Sequence, residues 1–455
     1  MSAEGLEASI DKMRREHVPE PAIATFRHYY RQLEAGESGM IPEDAIDPVR
    51  DVADADELPA ADAPLDAAVV IKLNGGLGTS MGMERAKSLL EVKDGLTFLD
   101  VIVRQVLALR SATGARLPLV LMNSFHTRED SLALLERYED LASDVPFDFV
   151  QHKEPKLLVD GLEPVSWPRD PKLEWCPPGH GDIYTALLTS GMLATLLERG
   201  YRYAFMSNSD NLGAQLEPRI LAWMAAERLP YVCEVTDRTE ADRKGGHIAV
   251  LEETGGLILR ETAQTPEDDM DAFTDVERHP YFHVNNLWVD LRALAELLRE
   301  RDGVMGLPMI VNEKTVDPSD SSSPPVYQLE TAMGAAIAVF DGAQAIRVSR
   351  SRFVPVKKTS DLLVLRSDAY RLADGARIEL ADGRAGAPLV ELDDEHFKRL
   401  ADFDAHFPAG PPSLVAADRL EVRGDVTFGR DVAVRGSVVV DGPRRVEDGA
   451  QLDGR

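Results

Sequence analysis

At 455 residues the chain exceeds what one hydrophobic core organises. Its 44% hydrophobic content, with no apolar run long enough to cross a bilayer, excludes the disordered and membrane-spanning classes. Acidic residues outnumber basic ones 78 to 50, a formal charge of −28 that disfavours nucleic acid and anionic membranes as partners and also repels a polyanionic small substrate. A phosphate site in this chain therefore has to be assembled from local lysines, backbone N–H groups and a metal ion.

The first 36 residues read as helical, with apolar positions at helical spacing in ATFRHYYRQLEAG; the charged start is not a secretory signal. Residues 37–66, rich in Asp, Ala and Pro, read as an extended acidic connector, with a short helix at 50–58 as the alternative. From residue 67 the pattern alternates. AAVVIKL (67–73), LPLVLMN (117–123), FDFVQ (147–151), YRYAFMSNSD (201–210) and YVCEV (231–235) read as strands, and TFLDVIVRQVLALR and YTALLTSGMLATLLERG read as helices between them. Such alternation predicts an α/β fold with a mixed, mostly parallel sheet, whose ligands sit at the carboxyl ends of the strands. The glycine loop after residue 73, Gln151 and the SNSD segment all fall at those ends. Further on, 247–261 predicts a hairpin insertion and QLETAMGAAIAVF (328–340) a helix. The tail repeats short β-branched triplets near a six-residue period, which fits a short β-helix, with an ordinary meander as the alternative. Cys176 and Cys233 stand far apart. One disulfide is arithmetically possible, and a reducing cytoplasm is the simpler reading.

Five constellations carry chemistry. KLNGGLGTSMGMERAKS (72–88) joins a strand to an expected helix, where free N–H groups and a helix N-terminus suit a phosphate. Its spacing matches neither the Walker loop nor the dinucleotide fingerprint, and Lys87 lies where it can reach back over bound phosphates. SNSDNLGA (207–214) ends a strand with Asn208, Ser209, Asp210 and Asn211; Asp210 suits a magnesium ion completed by phosphate oxygens, or else the segment is only an Asx turn. PPGHGD (177–182) sets His180 between Gly179 and Gly181, with Asp182 placed as a helix N-cap. HVNNLWV (283–289) puts two asparagines, Asn285 and Asn286, inside a strand, suited to sugar hydroxyls or else to a buried amide network. RFVPVKKTSDLL (352–363) carries Lys357 and Lys358 in an otherwise apolar strand, to neutralise phosphate or else as solvated edge lysines. The chain has no Gly-x-Ser-x-Gly elbow, no histidine pair at metal spacing and no cysteine–histidine pair of catalytic spacing. Direct transfer onto a substrate's own oxygen needs none of these; it needs alignment and charge neutralisation.

Taken in order, KLNGGLGTSMG…KS, WCPPGHGD, SNSDNLGA, DRKGGHIA, NNLW, QLETAMGAAI and RFVPVKKTSDLL resemble the eukaryotic-type UTP–glucose-1-phosphate uridylyltransferases (UDP-glucose pyrophosphorylases) over residues 67 to 365. The resemblance implies an N-terminal helical segment and connector (1–66), a Rossmann-like nucleotidyltransferase domain (67–370) and a C-terminal domain with a short left-handed β-helix (371–455). It further implies that UTP and glucose 1-phosphate react, with Mg2+, to give UDP-glucose and pyrophosphate. Leu73, Asn74, Gly75 and Gly76 would meet UTP by backbone, with Lys87 on its phosphates. Gln151 and Gly179 would hold the uracil, and His180 and Asn285 the glucose 1-phosphate. Asn208, Ser209 and Asp210 would serve the nucleotide, Asp210 also binding the metal, and Lys357 would span the reacting phosphates. Lys87 and Lys357 are the expected catalytic residues. Two positions depart from the family: Arg85-Ala86 stands where it has Gly-Pro, and His283-Val284 where it has Asn-Thr. The short tail leaves self-association through the C-terminal domain open. A UDP-N-acetylhexosamine or broad UDP-sugar pyrophosphorylase is the rival enzyme. A non-catalytic nucleotide-sugar sensor is the rival of another class, which the charged Lys87, Asp210 and Lys357 weigh against.

Overall fold

The β-branched run at 67–73 becomes the strand Ala68–Asn74 (β1), buried at all but one position as a strand covered on both faces must be. A computed structural model describes residues 2–454. In it β1 lies near the middle of a sheet with Leu119–Asn123 (β2), Asp148–Val150 (β3), Tyr203–Asn208 (β4), Tyr231–Asp237 (β5), Tyr281–Asp290 (β6) and Gln344–Arg347 (β7). The order across the sheet is Ala53–Asp54, β7, β5, β6, β4, β1, β2, β3. Only β6 runs antiparallel to its two neighbours on this path; the other pairs are parallel. The mixed, mostly parallel sheet expected from the alternating pattern is present.

One face of the sheet packs on the helix Phe98–Thr113, started by a Thr97–Asp100 capping box and stopped by Gly114 at φ 71°. The other face packs on Ile183–Thr189, Met192–Glu198 and Leu291–Glu300. The helical reading of 184–200 holds with a break, because Gly191 takes φ 75° between two short helices. No helix is long and apolar enough to cross a membrane.

The connector is extended as expected, and it is packed into the fold. It is not a free linker: Ile46–Pro48 pairs with the hairpin strand His247–Leu251, Ala53–Asp54 pairs with β7, and Ile41, Ile46, Val49 and Ala55 are buried. There is no helix at 50–58. The segment 328–340 is also different from the expected helix. Pro325–Thr331 is a strand, and only Met333–Ala338 forms a 3-10 helix. Its apolar run is too short for periodicity to separate a strand from a helix.

In the tail, Ser413–Arg423 (β8), Ala433–Asp441 (β10) and Gln451–Asp453 (β12) stack in parallel, as do Val426–Phe428 (β9) and Arg444–Val446 (β11). Val422 faces Val440, Val426 faces Arg444 and Ala433 faces Gln451, an offset of eighteen residues each time. Eighteen is three six-residue sides, the spacing expected of stacked β-helix coils. Leu420, Val434 and Val446 point inward and continue the apolar cluster that begins under the sheet.

Candidate functional site

The carboxyl ends of β1, β3 and β4 open onto one cleft of about 320 Å³. Its lining includes Leu73, Gly75, Gly76, Lys87, Gln151, Gly179, His180, Asn208, Ser209 and Asp210. These are ten of the thirteen residues singled out in the sequence. Larger hollows of about 500 and 760 Å³ exist, and neither gathers this set. Convergence, rather than volume, marks the site.

The glycine loop is shaped by two left-handed residues, Gly78 at φ 67° and Gly82 at φ 70°, and is closed by Lys87 N–H donating to Gly76 O at 3.0 Å. The N–H groups of Gly75, Gly76 and Leu77 donate to no group among the described residues, so they are free to meet an anion. The helix N-terminus expected here is absent. Short 3-10 turns, Thr79–Met81 and Lys87–Leu89, follow the loop, and the first α-helix starts only at Phe98. Positive potential in the loop therefore comes from these amides and Lys87.

Lys87 Nζ lies 2.6 Å from Asp210 Oδ2, both side chains partly shielded. The expected phosphate lysine and the expected metal carboxylate thus neutralise one another before any ligand arrives. Two backbone bonds fix the Asp210 turn: Ser209 N–H donates to Leu73 O, and Val356 N–H donates to Asp210 O. The second bond holds the residue before Lys357 against the Asp210 turn, although Lys357 itself is not among the cleft's lining residues. Lys357 and Lys358 are not on a strand, correcting that expectation; they precede the helix Thr359–Arg366, and both backbone N–H groups donate to Asp361 Oδ2. The Lys357 side chain is exposed; its Nζ stands 6.0 Å from the Phe353 ring centroid, and its charge opposes the rise that burial gives the Glu261 carboxyl pKa.

At the other end, Gln151 lies against Gly75 so closely that a Cβ there would stand 2.5 Å from Gln151 Oε1. Asp182 is not the capping group expected of it. Its carboxylate takes the His152 N–H at 2.6 Å and meets His152 Nδ1 at 2.7 Å, clamping the residue after Gln151. Gly179 takes φ 78° and packs on the Thr331 backbone. His180 Nδ1 accepts the Met333 N–H at 3.0 Å, so the neutral ring carries its proton on Nε2. Loss of hydration in the surrounding chain lowers its pKa to about 4, which keeps the ring neutral.

Asn285 lies one strand over. The β4–β6 register ends at Met206 opposite Leu287, two residues short of Asn285, which is not among the cleft's lining residues. Asn285 takes φ 57° where the β5–β6 register slips, and its buried Oδ1 has no partner among the described residues. Asn74 does not face the cleft by its side chain: Nδ2 donates to Asn123 Oδ1 and Ser131 Oγ. His283, the departure on this strand, is buried against Gly334, and burial with His180 nearby pushes its pKa down to about 3. Cys176 and Cys233 are both buried and unpaired, so the possible disulfide is not made.

Sequence reasoning singled out Asn286 and Asn211, with a buried amide network as one reading of the first, but missed the carboxylate and arginine they join. Glu234, wholly buried, accepts from Trp288 Nε1, Asn286 Nδ2, and Arg352 Nε and Nη2. Asn211 bonds Arg352 O and accepts the Val354 N–H, tying the Asp210 turn to the segment that carries Lys357. Lys72, buried beneath, donates to Ser207 Oγ and Ala214 O, and burial with Arg352 nearby pushes its pKa down to about 7. A glutamate in YVCEV, an otherwise apolar buried strand, was the one signal available. Pro177 and Met122, which also line the cleft, carried none.

Residues 23–435 match the family model described as UTP–glucose-1-phosphate uridylyltransferase. The enzyme of that name from Hordeum vulgare is 41% identical over 422 residues, covering 91% of this chain and 86% of its own. The one from Saccharomyces cerevisiae is 41% identical over 378 residues, covering 83% and 74%. Among solved structures, a variant of the Leishmania major UDP-glucose pyrophosphorylase in complex with UDP-glucose is similar, with a TM-score of 0.93 and 44% identity over 99% of this chain and 98% of that one. A UDP-glucose phosphorylase from Trypanosoma brucei gives 0.90 and 43%, covering 99% and 100%.

Proposed function

Because the chain belongs to the UTP–glucose-1-phosphate uridylyltransferase family, we propose that its cleft joins UTP and glucose 1-phosphate to give UDP-glucose and pyrophosphate. The observation that carries this reading is the convergence of Lys87, Gln151, His180 and Asp210 with the glycine loop at one set of strand ends.

Uracil lies against Gln151 and Gly179, and the phosphates lie over the free N–H groups of Gly75 to Leu77. Lys87 leaves Asp210 for the phosphates as they arrive, so the ligand replaces an ion pair already in place and meets no bare carboxylate. Asp210 fits a magnesium ion: it is the only carboxylate among the cleft's lining residues, and this metal takes one or two carboxylates with substrate phosphates. When bound there, the ion neutralises charge on phosphate oxygens. The uncommitted Asn285 Oδ1 and the Nε2–H of His180 are an acceptor and a donor for the sugar phosphate. An oxygen of glucose 1-phosphate attacks the α-phosphorus in line, and Lys357, exposed and one residue beyond the Val356–Asp210 bond, neutralises charge as it builds on the transferred group. His180 is unsuited to nucleophilic attack, since its lone pair is spent on Met333 N–H.

The same reading takes 1–66, 67–370 and 371–455 as the units of the chain, a cytoplasmic setting in keeping with two unpaired buried thiols, and self-association, if any, through the coiled tail. Pyrophosphate release from UTP with a panel of sugar 1-phosphates tests the substrate. Glucose 1-phosphate is expected to give the highest kcat/KM. Release with an N-acetylhexosamine 1-phosphate and none with glucose 1-phosphate would overturn the assignment.

A further inference from the structure

Outside the cleft, one group of side chains converges with the donor chemistry of a transition-metal site. His396 lies on the short helix Asp394–Phe397, His406 ends the helix Leu400–His406, and Asp425 lies in the turn between β8 and β9. One donor atom from each stands within 4.8 Å of the others. None of the three lines the cleft.

The hydrogen bonds of His406 fix its tautomer. Its Nδ1 stands 2.6 Å from the Asp402 carbonyl, which only accepts, so Nδ1 carries a proton. In the neutral ring Nε2 then presents a lone pair, and it does so to Asp425 Oδ1 at 3.1 Å. Two lone pairs at that distance repel unless a cation is shared between them, either a proton or a metal ion. A backbone carbonyl holding the far nitrogen is also how metal-bound imidazoles are commonly oriented. A third donor stands within reach of both. The ring nitrogens of His396 make no hydrogen bond among the described residues, and its ring centroid lies 6.2 Å from that of His406. A shared proton would have no use for it.

The backbone around the group is already fixed. Asp393 accepts the N–H groups of Glu395 and of Gly424, so the start of the first helix is tied to the residue before Asp425. The His406 ring rests on buried Phe397 at 4.6 Å. We propose that His396, His406 and Asp425 bind a divalent ion of the zinc class, with water in the remaining position. Two imidazoles and one carboxylate suit that class and not magnesium. The ion would bridge the helical pair to the coiled tail. Between the two histidines lies Arg399, whose stem would touch a Cβ at Gly82 at 3.5 Å, so the pair so fixed is the one that borders the glycine loop.

Cobalt(II) is a spectroscopic stand-in for zinc at such sites. Chelator-treated full-length protein, in excess magnesium, should take up one equivalent of Co2+ with the strong visible band of four-coordinate cobalt, and Zn2+ should displace it. His396→Ala and Asp425→Asn should each weaken binding by at least about ten-fold. Asp210→Asn, in the cleft, should leave the band unchanged. The proposal fails if the wild type takes up no Co2+ below millimolar concentration, the result expected of a His406–Asp425 ion pair alone. It fails equally if His396→Ala binds as tightly as the wild type, or if Asp210→Asn removes the band.

Discussion

Gly75→Ala separates the grip on the base from the stability of the fold. The added Cβ would stand 2.5 Å from Gln151 Oε1, 3.0 Å from Cδ and 3.2 Å from Nε2. Relief to ordinary contact requires the amide to retreat by about 1 Å. Gln151 is a flexible side chain and Gly75 does not have positive φ, so the backbone is unstrained and the cost in stability is small. The cost in binding is larger. Gln151 reading the uracil edge through two hydrogen bonds, at about 1 kcal/mol each, gives a loss of about 2 kcal/mol, or roughly 30-fold. Steady-state kinetics should show that rise in KM for UTP, with kcat within a few-fold and Tm nearly unchanged. Gln151→Ala should lose a similar amount, and the double variant should be no worse than Gln151→Ala, since both act through one contact. An unchanged KM for UTP in Gly75→Ala, or full additivity in the double variant, would refute the reasoning.

Lys357→Ala should lower kcat by about 10²- to 10³-fold, the range for removing a group that meets developing charge, with Tm nearly unchanged because the side chain is exposed and its ammonium stands 6.0 Å from the Phe353 ring centroid; a kcat within a few-fold of wild type would remove it from the chemistry. His283 has a pKa near 3 in the fold and an ordinary one near 6.5 unfolded, so between these values the unfolded chain binds the extra proton. Its contribution is complete above pH 6.5 and is lost as pH falls toward 3; His283→Gln should flatten Tm against pH in that window, and an unaltered slope would contradict this. Ala86 is held at φ −53°, a value close to the one a proline ring imposes. Ala86→Pro should therefore stabilise by about 0.4–1 kcal/mol through the unfolded chain, and a fall in Tm would show that the departure from Gly-Pro changes the loop's shape.

Much of the site could be read in advance because its motifs are continuous. The glycine loop and SNSD end neighbouring parallel strands, so strand order brings those two together. PPGHGD instead follows the separate antiparallel pair of Trp175–Cys176 with Glu154–Pro155 and is held at the cleft by Thr331 and Met333. What escaped notice is built from residues distant in the chain. Glu234 and Arg352 meet Trp288 and the already noted Asn286 only after β5 and β6 pair, and no local spacing announces that. The Asp182 carboxylate turned to His152 rather than to its helix for the same reason, since its partner comes from another strand end. Conversely, QLETAMG failed as a helix because its strand half is fixed by pairing with Met309–Thr315, a tertiary term that outweighs local preference.

Central to this account is direct transfer in a cleft whose one imidazole has no lone pair to offer. The stereochemical course at the α-phosphorus tests it. With a UTP analogue made chiral there by one sulfur, a single in-line displacement gives UDP-glucose with inverted configuration. Retention, the outcome of two displacements through a uridylyl-enzyme, would contradict the account.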